Sequence, residues 1–250
     1  MAKSNGLGWQ LYVGGYDLSN DIGQLGGVGN ERALLVVTGI DKSAEERIHG
    51  VQTAVLTFTG FFNDAAGQEH IALRDLPTTN REVILMKSAT IAVTAAGITG
   101  KQIGYSWARG ADGSLGIQSA IHNDGDQFNW GLSLTAGKRT DTGATNGAGV
   151  DFGTGSTTFG LVAYLNVFAF AGTSVTVTIQ ESSDNGGADP FAAVTGGAFA
   201  AVSAAPADER IQTVLTQTVE RYLRAVTTGT FSSAQFAVVA KRYALANTEA

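Results

Sequence analysis

The three histidines, His49, His70 and His122, are the first residues whose chemistry could matter. None stands at a spacing from a second His, Cys or carboxylate that would build a zinc site, and Glu69-His70 lacks the second His of a helical zinc motif. No G-x-S-x-G elbow occurs, and Gly113-Ser114-Leu115-Gly116 does not match it. Most acids, including Asp112, Asp124, Asp126, Asp184 and Asp189, fall in turn sequences, where Asp normally bonds its own backbone. The Asp124/Asp126 and Asp184/Asn185 turns match no complete calcium loop. Among the 33 glycines there is no phosphate-binding G-x-x-x-x-G-K-[ST], and Gly26-Gly27-Val28-Gly29 precedes strand-like sequence rather than a helix. The expectation is therefore no catalytic residue, no cofactor and no metal.

The elements that would have to position any site are nearly all β. Apolar residues make up 44% of the 250 and charged residues only 15%, so the surface must be covered by neutral polar groups or by other chains. There is no cysteine, hence no disulfide framework and no thiolate site. The net charge of −6, without a Lys/Arg cluster, argues against neutralising a nucleic-acid backbone. MAKSNGLGWQ lacks a signal-peptide core, and Phe159–Gly172, interrupted by Asn166, is too short for a membrane span. The composition fits a protein made in a cytoplasm that stays soluble or assembles there.

Along the chain, residues 9–16 read as a first strand and Asp17–Asn30 as a long glycine-rich loop of the kind that contacts partners. Ala33–Gly39 reads as a strand, and Ser43 with Glu46 has capping-box spacing for a helical turn over Ala44–Ile48. In Val51–Phe62, Ala54, Leu56 and Phe58 alternate with Val55, Thr57 and Thr59, the period of a sheet. Asn63 or Asp64 then caps one short helix near 64–75, stopped by Pro77. Candidate strands follow at Glu82–Lys87, Thr90–Ala95, Gln102–Arg109 and Gly113–Ile121, and the Asp-Gly of HNDGD predicts a hairpin onto Phe128–Thr135. Residues 136–156 read as a linker or second projecting loop. Thr157–Phe170, Ser174–Glu181, Phe191–Phe199, Arg221–Thr228 and Phe231–Lys241 complete the strand set. ADERIQTVLTQTVERY favours strand through its β-branched residues. Trp9, Tyr12, Tyr16, Trp107 and Trp130 alternate with small residues and read as core, whereas an exposed set would suit glycan binding.

YVGGYDLSNDIGQL, followed by VTGIDKSAEERIHGVQTAVLTFTGFFND and a helix, resembles the major tail tube proteins of long-tailed, siphovirus-like bacteriophages. SWARGADGSLGIQSA, LTAGKRTDTGATNG and TSVTVTIQESSDNG with RYLRAVTTGTF look like stretches of actinobacteriophage tail proteins. The resemblance implies a mainly β fold: a tail-tube-like β-sandwich or half-barrel with one flanking helix over residues 1–156, plus a C-terminal β-rich part over 157–250. It implies a structural virion protein, assembled in the host cytoplasm, that polymerises as stacked rings into a tail tube. Its partners would be itself, as a hexamer or pseudo-hexameric trimer, other tail proteins, and phage DNA passing through the lumen without specific binding. No membrane anchor is implied. Asp17, Leu18, Ser19, Asn20, Asp21, Ile22, Gly23, Gln24 and Leu25 fit the place of the loop joining successive rings. A different class, a carbohydrate-binding β-sandwich decorating the virion, is the alternative.

Overall fold

The computed structural model describes residues 5–153 and 155–245, so the first four residues of the stretch read for a leader lie outside it. Fifteen strands and one helix are present among these residues. In chain order the strands are β1 (Gln10–Val13), β2 (Tyr16–Asp17), β3 (Ile22–Val36), β4 (Arg47–Phe61), β5 (Arg81–Met86), β6 (Thr94–Arg109), β7 (Leu115–Asn123), β8 (Asn129–Ser133), β9 (Arg139–Asp141), β10 (Thr145–Asn146), β11 (Val150–Asp151), β12 (Leu161–Ser182), β13 (Ala192–Ala198), β14 (Ala207–Gln212) and β15 (Tyr222–Arg242). The helix α1 (Glu69–Leu73) lies between β4 and β5. All pair antiparallel in one connected sheet of order β13-β12-β15-β8-β6-β5-β1-β2, from which β7, β4 and β3 continue beyond β6.

Alternation along the strands sorts the apolar side chains into layers. In β12 and β15, Leu161, Ala163, Leu165, Phe236 and Val238 enter one core cluster, while Val162, Tyr164, Ala237 and Val239 enter another. In β1 and β5, Leu11, Val13, Val83 and Leu85 point into a third, and Tyr12, Ile84 and Met86 into the shared middle one. These strands are buried on both faces, which is why their sequences read as near-continuous apolar runs. The sheet therefore curls so that two strand layers enclose a common core, with β8 joined to both β6 and β15. The layers approach closely at Gly97, where an added Cβ would lie 2.1 Å from the Tyr164 ring. The mainly β reading with one helix is met.

Several local expectations are not. Asp17–Asn30 is not a loop: Leu18 is buried, and Ile22 onward is strand. Bulges between Ile22 and Gln24 and between Leu25 and Gly27 each add a residue, so Ile22, Leu25 and Val28 face the core at intervals of three. That spacing hides the period of two. No helical turn forms over Ala44–Ile48, and β4 begins at Arg47. The helix is confined to Glu69–Leu73, because Gly67 takes φ +79° and Asn63 accepts the Ala65 N–H (3.2 Å) in a local turn instead of capping. The Asp-Gly hairpin is also overturned. Gly125 has the positive φ, yet β7 pairs with β4 and β6, while β8 pairs with β6 and β15.

Residues 136–156 carry β9, β10 and β11, laid on β15, rather than one projecting loop. The two pairs of C-terminal strands expected on either side of residues 172 and 229 are instead continuous, as β12 and β15. Gly229 (φ +119°) carries the bend there, with an added Cβ falling 2.4 Å from the Ser174 carbonyl oxygen. His49 sits in β4 and His122 in β7.

Candidate assembly interface

The element that projects is the β3–β4 hairpin. From Val55 to Phe61, β4 has β7 on its far side; from Arg47 to Ala54 its only strand partner among the described residues is β3. The base is fastened by Asn30, which donates to the Phe128 carbonyl (3.2 Å) and accepts the Phe128 N–H (2.7 Å). Asn123 Oδ1 accepts the Ala54 N–H at 2.9 Å. Beyond this the ribbon runs about 20 Å at roughly 3.3 Å per residue. Its connector, residues 37–46, is closed by Val37 N–H to the Glu46 carbonyl (2.9 Å) and Glu46 N–H to Thr38 Oγ1 (2.9 Å). Leu34, Leu35, Val36, Val37, Ile40 and Ile48 are all exposed on it. The strand expected over Ala33–Gly39 is present as the end of β3, up to Val36, and its consecutive apolar residues face solvent on both sides of the ribbon.

Of the residues expected to join rings, Leu18 and Asp21 are buried, while Asn20, Gly23 and Gln24 are exposed. Asp17 accepts from Ser19 N–H (3.0 Å) and hydroxyl (2.6 Å) and pairs with Lys138 at 2.6 Å. Ser19 Oγ accepts the Leu11 N–H at 3.0 Å, and Leu18 fills the core. Asp21 is buried and accepts from Asn63 Nδ2 (2.9 Å) and the Glu69 N–H (3.2 Å), so it anchors α1 from outside. Asn63 N–H in turn donates to Glu69 Oε1 (2.9 Å), whose carboxyl is raised above its ordinary range chiefly by burial. Asn20 is exposed in the intervening turn. Ile22, Gly23, Gln24 and Leu25 belong to β3 and, with Trp9 and Trp130, line a cleft of about 590 Å³. The aromatic-core expectation holds for Tyr12 but not for Trp107 and Trp130, which are 58% and 41% exposed. Their ring contacts run to Phe62 (6.3 Å) and Phe128 (6.4 Å) respectively, not to each other.

Sequence reading missed a polar seam between the strand layers. Asp126 accepts from Tyr164 Oη (2.7 Å) and Asn129 Nδ2 (3.0 Å) and pairs with Arg210 at 2.8 Å. Asn166 Nδ2 donates to the Glu82 carbonyl (3.1 Å), and Asp208 accepts the Glu82 N–H (2.6 Å). Glu82 itself accepts from Thr99 Oγ1 (2.7 Å), and burial pushes its carboxyl up to about 7 against that bond. Asn166 was visible as a polar break in an apolar run, but its partners lie more than eighty residues away. Among the described residues no group of three or more His, Cys, Asp or Glu is disposed to hold a metal ion, and no helix is long and apolar enough to cross a membrane.

No protein-family model matches the chain, and no curated protein matches it in sequence. Solved structures from phage-like tails and baseplates resemble it in fold. The tail of an empty GTA particle with C6 symmetry is 16% identical over 50% of this chain and 96% of its own, with a TM-score of 0.40. The SPP1 Dit protein, described as a hub of the adsorption apparatus of phages infecting Gram-positive hosts, is 12% identical over 94% and 99%, with a TM-score of 0.31. A chain of the phage P2 baseplate in its activated conformation with Ca is 9% identical over 94% and 98%, with a TM-score of 0.37. All three likenesses are distant.

Proposed function

We propose that this chain is a structural subunit of a siphovirus-like phage tail, polymerising as stacked rings into the tube through which DNA leaves the virion. The observation that carries the reading is the β3–β4 ribbon. A two-stranded ribbon is marginal by itself in water, and this one holds apolar side chains out to solvent with nothing among the described residues over them. Such a surface on a soluble chain calls for a partner. The order of tail-tube-like sequence elements supports a tail as the setting, and the net charge of −6 suits a wall along which DNA slides without adhering. The ring-joining role passes in this reading from Asp17–Leu25 to the ribbon, because Leu18 and Asp21 are committed to the fold.

The chain is further read as two β-rich units, so that six copies, or three copies each contributing two tube-like units, close a ring. This reading puts the division nearer residue 134 than 157, supported by the packing of Leu134 and Val150 with the C-terminal cluster and the pairing of β9–β11 with β15. Electron microscopy of the purified full chain over a concentration series tests the proposal. Hollow tubes with regular axial repeat are expected, and their rotational symmetry gives the number of copies per ring. A chain that stays monomeric at all concentrations and is absent from virions overturns it.

A further inference from the structure

We infer that the tip of the β3–β4 ribbon is buried on both of its faces in the assembly, inserted between surfaces of further copies of this chain rather than laid against one. The inference rests on the self-assembly reading above and adds how the arm is held. Neighbouring residues of a strand point to opposite faces, and residues directly opposite in an antiparallel pair share a face. The register pairs Leu34 with His49, Leu35 with Ile48, and Val36 with Arg47. One face therefore presents Leu34 and Val36 beside His49 and Arg47; the other presents Leu35 and Ile48, with Val37 following. All these residues are exposed. A ribbon lying on a single surface would be apolar on one face and polar on the other.

Among the described residues nothing of the same chain covers the ribbon tip. The connector is held closed by its own hydrogen bonds and stands about 20 Å beyond the last residues fastened to the sheet. Each aliphatic side chain removes roughly 60–120 Å² from water when covered. Leu34, Leu35, Val36, Val37, Ile40 and Ile48 thus offer roughly 400–700 Å². That approaches the ~800 Å² one partner contributes to a stable interface, an area on the scale of contacts between copies of this chain. A contact from the arm of one copy to a different surface of the next is heterologous, the kind that closes rings or extends filaments.

The absence of cysteine allows a direct test. Leu34→Cys and Leu35→Cys, made separately in the full chain, place one thiol on each face. Maleimide labelling is followed in dilute monomer and in sedimented assembly. At least a tenfold fall in labelling rate on assembly is expected for both. If one thiol stays as reactive in the assembly as in the monomer, the arm is covered on one face only and the inference fails while self-assembly stands. If both stay reactive in tubes that form normally, the arm is not the contact. A cysteine-free chain that never assembles overturns both readings. A paired Leu35→Ser, Ile48→Ser variant, checked for an unchanged thermal melt, should raise the concentration needed for assembly at least tenfold; unchanged assembly counts against the arm.

Discussion

At Gly97 the absence of a side chain is what lets the Tyr164 ring of β12 rest on the backbone of β6. Gly97→Ala puts a methyl group into ring carbons that have no room to withdraw. A loss of about 1–3 kcal/mol in urea unfolding is expected for this overpacking, and a variant as stable as the parent would mean the layers can separate at no cost. Glu82 makes a prediction in pH. Its folded value of about 7 lies above the ordinary 4.5, so the folded chain holds the proton more tightly than the unfolded one. The stabilisation is complete below pH 4.5 and is lost as pH rises through 7, an effect on the order of 3 kcal/mol. Glu82→Gln keeps an acceptor for Thr99 and removes the titration. It should be more stable than the parent at pH 8 and show no advantage at pH 4; parallel stability–pH curves would refute the assignment.

At the scale of elements, Asp21 holds α1 to the start of β3. Asp21→Ala leaves the Glu69 N–H and Asn63 Nδ2 without their acceptor, at a cost of about 1–3 kcal/mol, and should speed hydrogen exchange at the Glu69 amide. Unchanged exchange would show that α1 does not depend on this anchor. A deletion inside Leu18–Gly29 is accordingly expected to unfold the chain, whereas shortening the connector 37–46 should leave the fold intact. The strands were legible where bulges are absent: Ala54, Leu56 and Phe58 are buried as their alternation requires. They were illegible in β3, where two bulges turned a period of two into three, and at β7–β8, where a good turn sequence joins strands that pair elsewhere. Turn chemistry is local, while β8 pairs with the distant strands β6 and β15, and Asp126 before it bonds Tyr164 and Arg210.

For the whole molecule, β8 and the shared middle cluster couple the two outer cores. Urea unfolding followed by tryptophan fluorescence and by far-ultraviolet circular dichroism should therefore give one coincident transition; two separated transitions would show that the halves fold independently. The sequence by itself determined the mainly β class, the near absence of helix, and a strand over Ala33–Gly39. It did so because periodicity and composition are properties of neighbouring residues. Only the tertiary structure decided that this strand stands on a projecting ribbon, that Asp17–Leu25 is part of the body, and that Glu82 lies in a buried seam. Those outcomes depend on which distant strands pair, and pairing is fixed by register, bulges and side-chain contacts across many tens of residues.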